Sequence, residues 1–202
     1  MNVTVAVTGA SGAALAQRLL RALEADARVS GIDFVASEAA LRVMAEELHL
    51  SGRNELVEKL LGQMPEKTTA KKTRSYAEQD IGASIASGSY PSAGMIVLPC
   101  SMGTLAGIAN GMAGNLIERA ADVCLKERRP LLLCVRETPF NKIHLRNMQL
   151  AADAGATIFP VIPAFYNEPT TTADMVRNFV DRALAHFGLP QPGAYIWKPG
   201  DE

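Results

Sequence analysis

Aromatic side chains are scarce in this sequence. They make up 5% of its 202 residues, and its 20 Lys and Arg nearly balance its 21 Asp and Glu. A net charge of −1 gives no field for a nucleic-acid backbone, and so few rings give no platform for stacking bases. Histidine is equally sparse. His49, His144 and His186 stand far apart and no acidic cluster suits magnesium, so no metal is expected. Cys100, Cys124 and Cys134 lie in apolar surroundings without CxxC spacing, so buried reduced thiols and a cytoplasmic setting are expected. No basic region precedes an apolar run at the start, so no signal peptide is expected. Charge is missing altogether from Ile81 to Ile117. Pro91, Pro99, Asn110, Asn115 and many glycines break that stretch, which argues against a membrane span and for a buried strand, a glycine-rich turn and a short helix.

What remains alternates. Short apolar runs at Val3–Val7, Ile32–Ala36, Met95–Leu98, Leu131–Val135 and Thr157–Val161 read as strands. Between and after them, helical periodicity covers Ser11–Leu23, Glu38–Leu48, Asn54–Met64, Met102–Ala109, Asn115–Arg128, Lys142–Ala154 and Asp174–Phe187. Lys67–Asp80, with its KKTR run, reads as a solvated loop. No linker or repeat is evident. The expectation is one α/β domain over residues 1–202, doubly wound in the Rossmann or flavodoxin manner. Its sheet is mostly parallel with helices on both faces, and a tail begins at about residue 188.

In such a sheet the ligand lies beyond the carboxyl ends of the strands. The first strand runs into Thr8-Gly9-Ala10-Ser11-Gly12, where a helix N-terminus suits phosphate and Ser11 is a candidate cap. The motif is neither GxGxxG nor a Walker loop, and a capped tight turn explains it equally well. The pattern recurs: Ser37 ends one strand, Ser101 and Thr104 another, Arg136 and Glu137 a third. Together these tips favour a phosphate-bearing ligand with a wide flat body. In NLIERAADVCLKERRP, Arg119, Asp122 and Lys126 share a helix face. They form either a solvated charge ladder or, if buried, a second anion site.

TGASG, VASEAA, ASGS, PCSMGTL, NLIERAADVCLKERRPLLL, VRETP and PAFY together resemble the UbiX family of flavin prenyltransferases over nearly the whole chain. The wider group of flavin-containing Cys decarboxylases is a more distant likeness. The resemblance implies transfer of a prenyl group from dimethylallyl monophosphate to N5 and C6 of reduced FMN. The product, prenylated FMN, serves a UbiD-type decarboxylase, for example in ubiquinone biosynthesis. It implies no metal and a homododecamer with active sites at subunit contacts.

By resemblance, Gly9, Ala10 and Ser11 match the turn on the FMN phosphate side, and Ser37 a flavin-site serine. Ser101, Met102, Gly103 and Thr104 match the loop along the flavin, and Arg136 the arginine that contacts it. Glu47, with Glu46 beside it as the alternative, matches the acid near the prenyl phosphate. Ser87, Arg119, Lys126 and Glu137 match polar groups around phosphate and ring. Tyr166 and Arg182 match the allyl-phosphate ligands, and Trp197 an aromatic tail residue. Ser11, Glu47, Lys126 and Glu137 are the expected catalytic set. A carboxylate crowded by phosphate should have a raised pKa, so Glu47 is expected to act as a general acid, with Ser11 passing the proton near N5. The other readings are an FMN carrier for a decarboxylase and a decarboxylase in its own right. The carrier has no need of Glu47, Lys126, Tyr166 and Arg182 together. For the decarboxylase, no general acid with a substrate pocket stands out.

Overall fold

A computed structural model describes residues 1–62 and 72–197. In chain order the strands are β1 (Asn2–Val7), β2 (Gly31–Ala36), β3 (Thr73–Tyr76), β4 (Met95–Cys100), β5 (Leu131–Val135) and β6 (Thr157–Ile158). The helices are α1 (Ala13–Ala25), α2 (Glu38–Leu48), α3 (Leu56–Leu61), α4 (Met102–Ala109), α5 (Leu116–Lys126), α6 (Lys142–Asp153) and α7 (Thr172–His186). The six strands form one sheet of order β3-β2-β1-β4-β5-β6, and every pairing is parallel.

Side chains alternate across each strand, so one sheet feeds two cores. Val3, Val5, Val7, Ile32, Phe34, Ile96 and Leu98 pack under α1, α2, α3 and α7. Ala6, Val35, Met95, Val97, Leu131 and Leu133 pack under α4, α5, α6 and a 3-10 turn at Ser84–Ala86. Both faces are covered, which is why the strands read as continuous apolar runs. No helix among the described residues is long and apolar enough to cross a membrane.

Three expected elements differ. The basic run is a strand rather than a loop from Thr73 to Tyr76, and it pairs with Ile32–Val35. It reads as polar because it is the edge of the sheet, held at its start by buried Glu24. That carboxylate accepts from the Lys72 N–H at 2.7 Å and the Thr73 hydroxyl at 2.8 Å. Residues 67–71 of the expected loop lie outside the described residues. The last strand is two residues long because Pro160 has no N–H to continue the ladder. Its hydrogen bonds resume around the proline, Phe159 N–H to Leu133 O and Val161 N–H to Val135 O, both at 2.9 Å. The helix expected at Asn54–Met64 spans Leu56–Leu61, closed by Gly62 at φ 63°. Met64 lies outside the described residues.

Strand order reverses between β1 and β4, and a crevice opens there beyond the strand ends. Buried Thr8 joins the two tips. Its hydroxyl donates to the Pro99 carbonyl at 2.9 Å and accepts from the Ser101 N–H at 2.7 Å.

Candidate active site

The β1 turn is shaped by its glycines. A Cβ on Gly9 would collide with Ala39 Cβ in the first turn of α2, so only glycine permits this approach. Gly12 sits at φ 124° and is the N-cap of α1, with no side-chain cap. The expected Ser11 cap is therefore absent and the helix starts at Ala13. The Ser11 hydroxyl bonds the Glu47 carboxylate instead. Glu47, from the last turn of α2, crosses to the N-terminus of α1. Its Oε2 accepts from Gly12 N–H at 3.0 Å and Ala13 N–H at 2.7 Å.

This corrects one expectation: the α1 N–H groups read as a phosphate cradle are engaged by the chain's own carboxylate. The Glu47 pKa lies below the ordinary carboxylate value. Burial pushes it up, but hydrogen bonds from Ser11, Ala13 and Gly12, with the Arg136 charge, outweigh that. Glu46 is exposed on the neighbouring position.

The other tips lie beside this turn. Ser37 caps α2, its hydroxyl accepting from Ala40 N–H at 3.0 Å, and is 7% exposed. Ser101 caps α4, accepting from Thr104 N–H at 3.4 Å, and shares a hydrogen bond with the Thr104 hydroxyl at 3.1 Å. Met102 is buried, whereas a Cβ on Gly103 would meet nothing within 4 Å. The first turn of α4 thus borders open space at Gly103. Arg136 and Glu137 are exposed at the β5 tip, which the Arg136 N–H ties to Cys100 O at 3.1 Å. Glu137 Oε1 accepts from Thr138 N–H at 3.0 Å. Gly9–Ser11, Ser37, Glu47, Ser101–Thr104, Arg136 and Glu137 therefore gather along one edge of the sheet.

A second group forms on α5. Arg119 pairs with Asp122 at 2.6 Å, and its Nε donates to Ala86 O at 3.0 Å. Lys126 pairs with Glu127, beside Gly88. Ser87, bracketed by Ala86 and Gly88, is thereby brought to Arg119 and Lys126. The stripe is not buried, as Arg119 and Asp122 are about one-third exposed and Lys126 more so. In the isolated chain it is a solvent-facing ladder, because α5 buries its opposite, apolar side.

A third group lies by α7. Tyr166, Arg182 and Trp197 line a groove of about 790 Å³ with Phe179, Ile158 and Tyr195. The Tyr166 ring is 5.3 Å from Tyr195 and 5.1 Å, edge-on, from Trp197. Trp197 thus packs against Tyr166. But α5 and α7 cover opposite faces of the sheet. Arg119 and Lys126 therefore stand on the opposite face of the sheet from Tyr166 and Arg182 within one chain. The sequence reading also missed Thr8, Glu78 and Tyr195. Glu78, after β3, accepts from the Glu38 N–H at 3.0 Å and so covers the N-terminus of α2. Nothing local marked it, because its loop reads as merely polar. Among the described residues, no three His, Cys, Asp or Glu side chains group as metal ligands.

Comparison with known proteins agrees with this geometry. The flavoprotein family model matches residues 1–185. Flavin prenyltransferase UbiX of Salmonella typhimurium is 45% identical across 95% of this chain and 94% of its own. A dodecameric FMN-dependent UbiX-like decarboxylase from Escherichia coli O157:H7 superposes with a TM-score of 0.86 at 42% identity, covering 98% of this chain and 99% of that one. AnUbiX (PadA1), solved in complex with FMN and dimethylallyl pyrophosphate, gives 0.86 at 39% identity, covering 100% and 98%. With this identity running nearly end to end over the same parallel sheet, the chain belongs to the flavoprotein family and, within it, to the UbiX flavin prenyltransferases.

Proposed function

We propose that this chain joins a dimethylallyl group from dimethylallyl monophosphate to N5 and C6 of reduced FMN, giving prenylated FMN. The observation that carries the reading is Glu47, held on Ser11 and the α1 N-terminus beside Arg136. In a carrier that only stores flavin the arrangement would do no more than cap α1. The donor set fits FMN: hydroxyls of Ser37, Ser101 and Thr104, an exposed Arg136 and an uncovered backbone at Gly103.

In the reaction the allylic carbon–oxygen bond breaks and its electron pair leaves with phosphate. A carbon–nitrogen bond forms at N5, whose N–H bond breaks with its proton passing to the phosphate, and closure onto C6 moves one proton onto the alkene carbon and one off C6. Arg119, Lys126 and Arg182 are cations suited to the leaving phosphate, with the hydroxyls of Ser87 and Tyr166 as donors. The walls of Phe179, Ile158 and Trp197 exclude water from a five-carbon chain. Ser11 and Glu47 form a hydrogen-bonded pair able to hold and return a proton, so the phosphate must raise the pKa of Glu47 before it acts as an acid. Glu137, exposed at the β5 tip, is assigned to the phosphate side.

Because α5 and α7 cover opposite faces, we assign their groups to one site across a contact between copies. Exposed Ile162, Phe165, Ile143 and Leu145 suit such a contact. The E. coli neighbour is dodecameric. Three buried free thiols support a reducing, cytoplasmic setting, and a UbiD-type decarboxylase is the recipient of the product. The test is anaerobic incubation with reduced FMN and dimethylallyl monophosphate, followed by mass spectrometry of the flavin. Gain of one C5H8 unit is expected. An unchanged flavin mass overturns the reading in favour of the carrier.

A further inference from the structure

Asp33 lies in the middle of β2, between buried Ile32 and Phe34, and is 3% exposed. A parallel strand covered on both faces ordinarily carries Val or Ile at such a position. Its Oδ1 accepts from the Tyr76 hydroxyl at 3.1 Å. Its Oδ2 is buried and has no hydrogen-bond partner among the described residues. The Tyr90 phenol also lies beside this carboxyl group. Burying a carboxyl group costs stability even where tyrosine hydroxyls face it, so the position asks for a reason beyond packing.

The hydroxyl that Asp33 engages leads onward. The Tyr76 oxygen shares a hydrogen bond with Ser84 Oγ at 3.0 Å and receives one from Arg74 at 3.3 Å. The Tyr90 phenol, pushed up by burial and by the neighbouring Asp33, takes a hydrogen bond from Asn2 at 3.4 Å. Ser84 and Tyr90 are the two ends of one segment. From its other side α5 and the turn after it grip the same segment: Arg119 at Ala86 O, and Arg129 at Gly88 O (2.6 Å) and Tyr90 O (2.8 Å). Ser87 stands at the centre. The segment is thus clamped between a carboxyl-centred hydroxyl network in the sheet and two arginines, one on α5 and one just after it.

We infer that Asp33 is a positioning residue which, through Tyr76, Ser84 and Tyr90, sets the segment carrying Ser87 and the Arg119 that leans on it. The inference rests on the transferase reading, which assigns Ser87 and Arg119 to the allyl phosphate. Asp33 touches no substrate. It acts on where the phosphate donors stand, not on the flavin turn.

The test compares Asp33→Val, Asp33→Asn and Tyr76→Phe with the parent, each loaded with reduced FMN. Val suits a parallel strand and removes the buried carboxyl, so the melting temperature should stay level or rise. Flavin affinity and kcat should stay within about twofold while KM for dimethylallyl monophosphate rises about tenfold, the weight of one good hydrogen bond to an anion. Asparagine keeps an acceptor for Tyr76 and should restore a near-parental KM. Tyr76→Phe should raise KM as Asp33→Val does, and the double variant should be no worse than the poorer single one, because the two act in one chain of contacts. A parental KM in Asp33→Val overturns the inference, and so does lost activity that merely follows lost stability or lost flavin. Should Asp33→Val not fold, Tyr76→Phe decides alone, and a parental KM there overturns it equally. A parent that transfers no prenyl group defeats the transferase reading and this inference with it. An active parent with an unaffected Asp33→Val defeats the inference only.

Discussion

Replacing Glu47 by Gln changes one atom and one charge. The amide oxygen can occupy the Oε2 position and still accept from Gly12 and Ala13, at 3.0 and 2.7 Å in the parent. The amide nitrogen then faces groups that need an acceptor, and the negative charge at the N-terminus of α1 is gone. Such a charge contributes about 0.3–1 kcal/mol at an exposed helix end, and Glu47 is exposed. The fold should therefore lose at most about 1 kcal/mol, or ~2–4 °C in melting temperature for a chain of this size. The folded pKa lies below the ordinary carboxylate value, so this stabilisation is present above that value and lost as pH falls through the folded pKa. Glu47→Gln should lack that part of the acid-side loss.

The effect on turnover should be far larger. Gln cannot deliver or return a proton, and general acid help is worth ~10²–10⁴ in rate. Stopped anaerobic reactions at saturating reduced FMN and dimethylallyl monophosphate, read by mass spectrometry, give the rate. Flavin fluorescence gives affinity, which should change little. Glu46→Gln, on an exposed neighbour without those contacts to the turn, should behave as the parent. Prenyl transfer at the parental rate by Glu47→Gln would refute the proton role assigned to the Ser11–Glu47 pair.

Ser101→Leu should expel FMN and cost about 1 kcal/mol for the lost cap of α4 without unfolding the chain; retained flavin affinity would place the ring elsewhere. Activity should survive thorough chelation, because cations of Arg119, Lys126 and Arg182 replace magnesium; activity lost to chelator and regained with magnesium contradicts this. Arg119→Ala and Arg182→Ala should each be inactive, and assembling the two together should restore activity in about a quarter of sites if α5 and α7 meet across copies. No recovery on mixing means that each site is built from one chain. Asp26→Asn should reduce stability at neutral pH, by an amount that starts to shrink only below about pH 4 and keeps shrinking as pH falls further, since the Arg28 hydrogen bonds hold the Asp26 pKa far below its ordinary value; thermal unfolding against pH measures it. Equal loss at every pH would mean that the Arg28 and Gln191 contacts act without the charge.

Much of the molecule was fixed by local chemistry. Apolar β-branched runs with a helix after each could only bury both faces of a parallel sheet, so fold class and strand tips were legible from spacing alone. Ser37 and Ser101 cap α2 and α4 where their strand-to-helix corners predicted, because a cap is a contact three residues long. The NLIERAAD-to-RETP block carried the family for the same reason: residue types at fixed spacing survive in a linear string. The tertiary structure decided what depends on approach from elsewhere in the chain. Glu47 reaches the α1 N-terminus across 34 residues, which turned an apparent phosphate cradle into a carboxylate site and lowered the pKa of that carboxylate. The edge strand Thr73–Tyr76 exists because Glu24 and β2 hold it, not because its sequence favours extension. Asp33 drew no notice in sequence, since a single acid in an apolar run has no period, and only burial beside Tyr76 made it a question. Helix periodicity put Arg119 and Lys126 on one face of α5, but only the alternation of side chains through the sheet separated that face from Arg182 on α7. Spacing along a chain states which residues are neighbours on one element. Which side of the sheet that element covers is settled by the crossovers, and those are long-range.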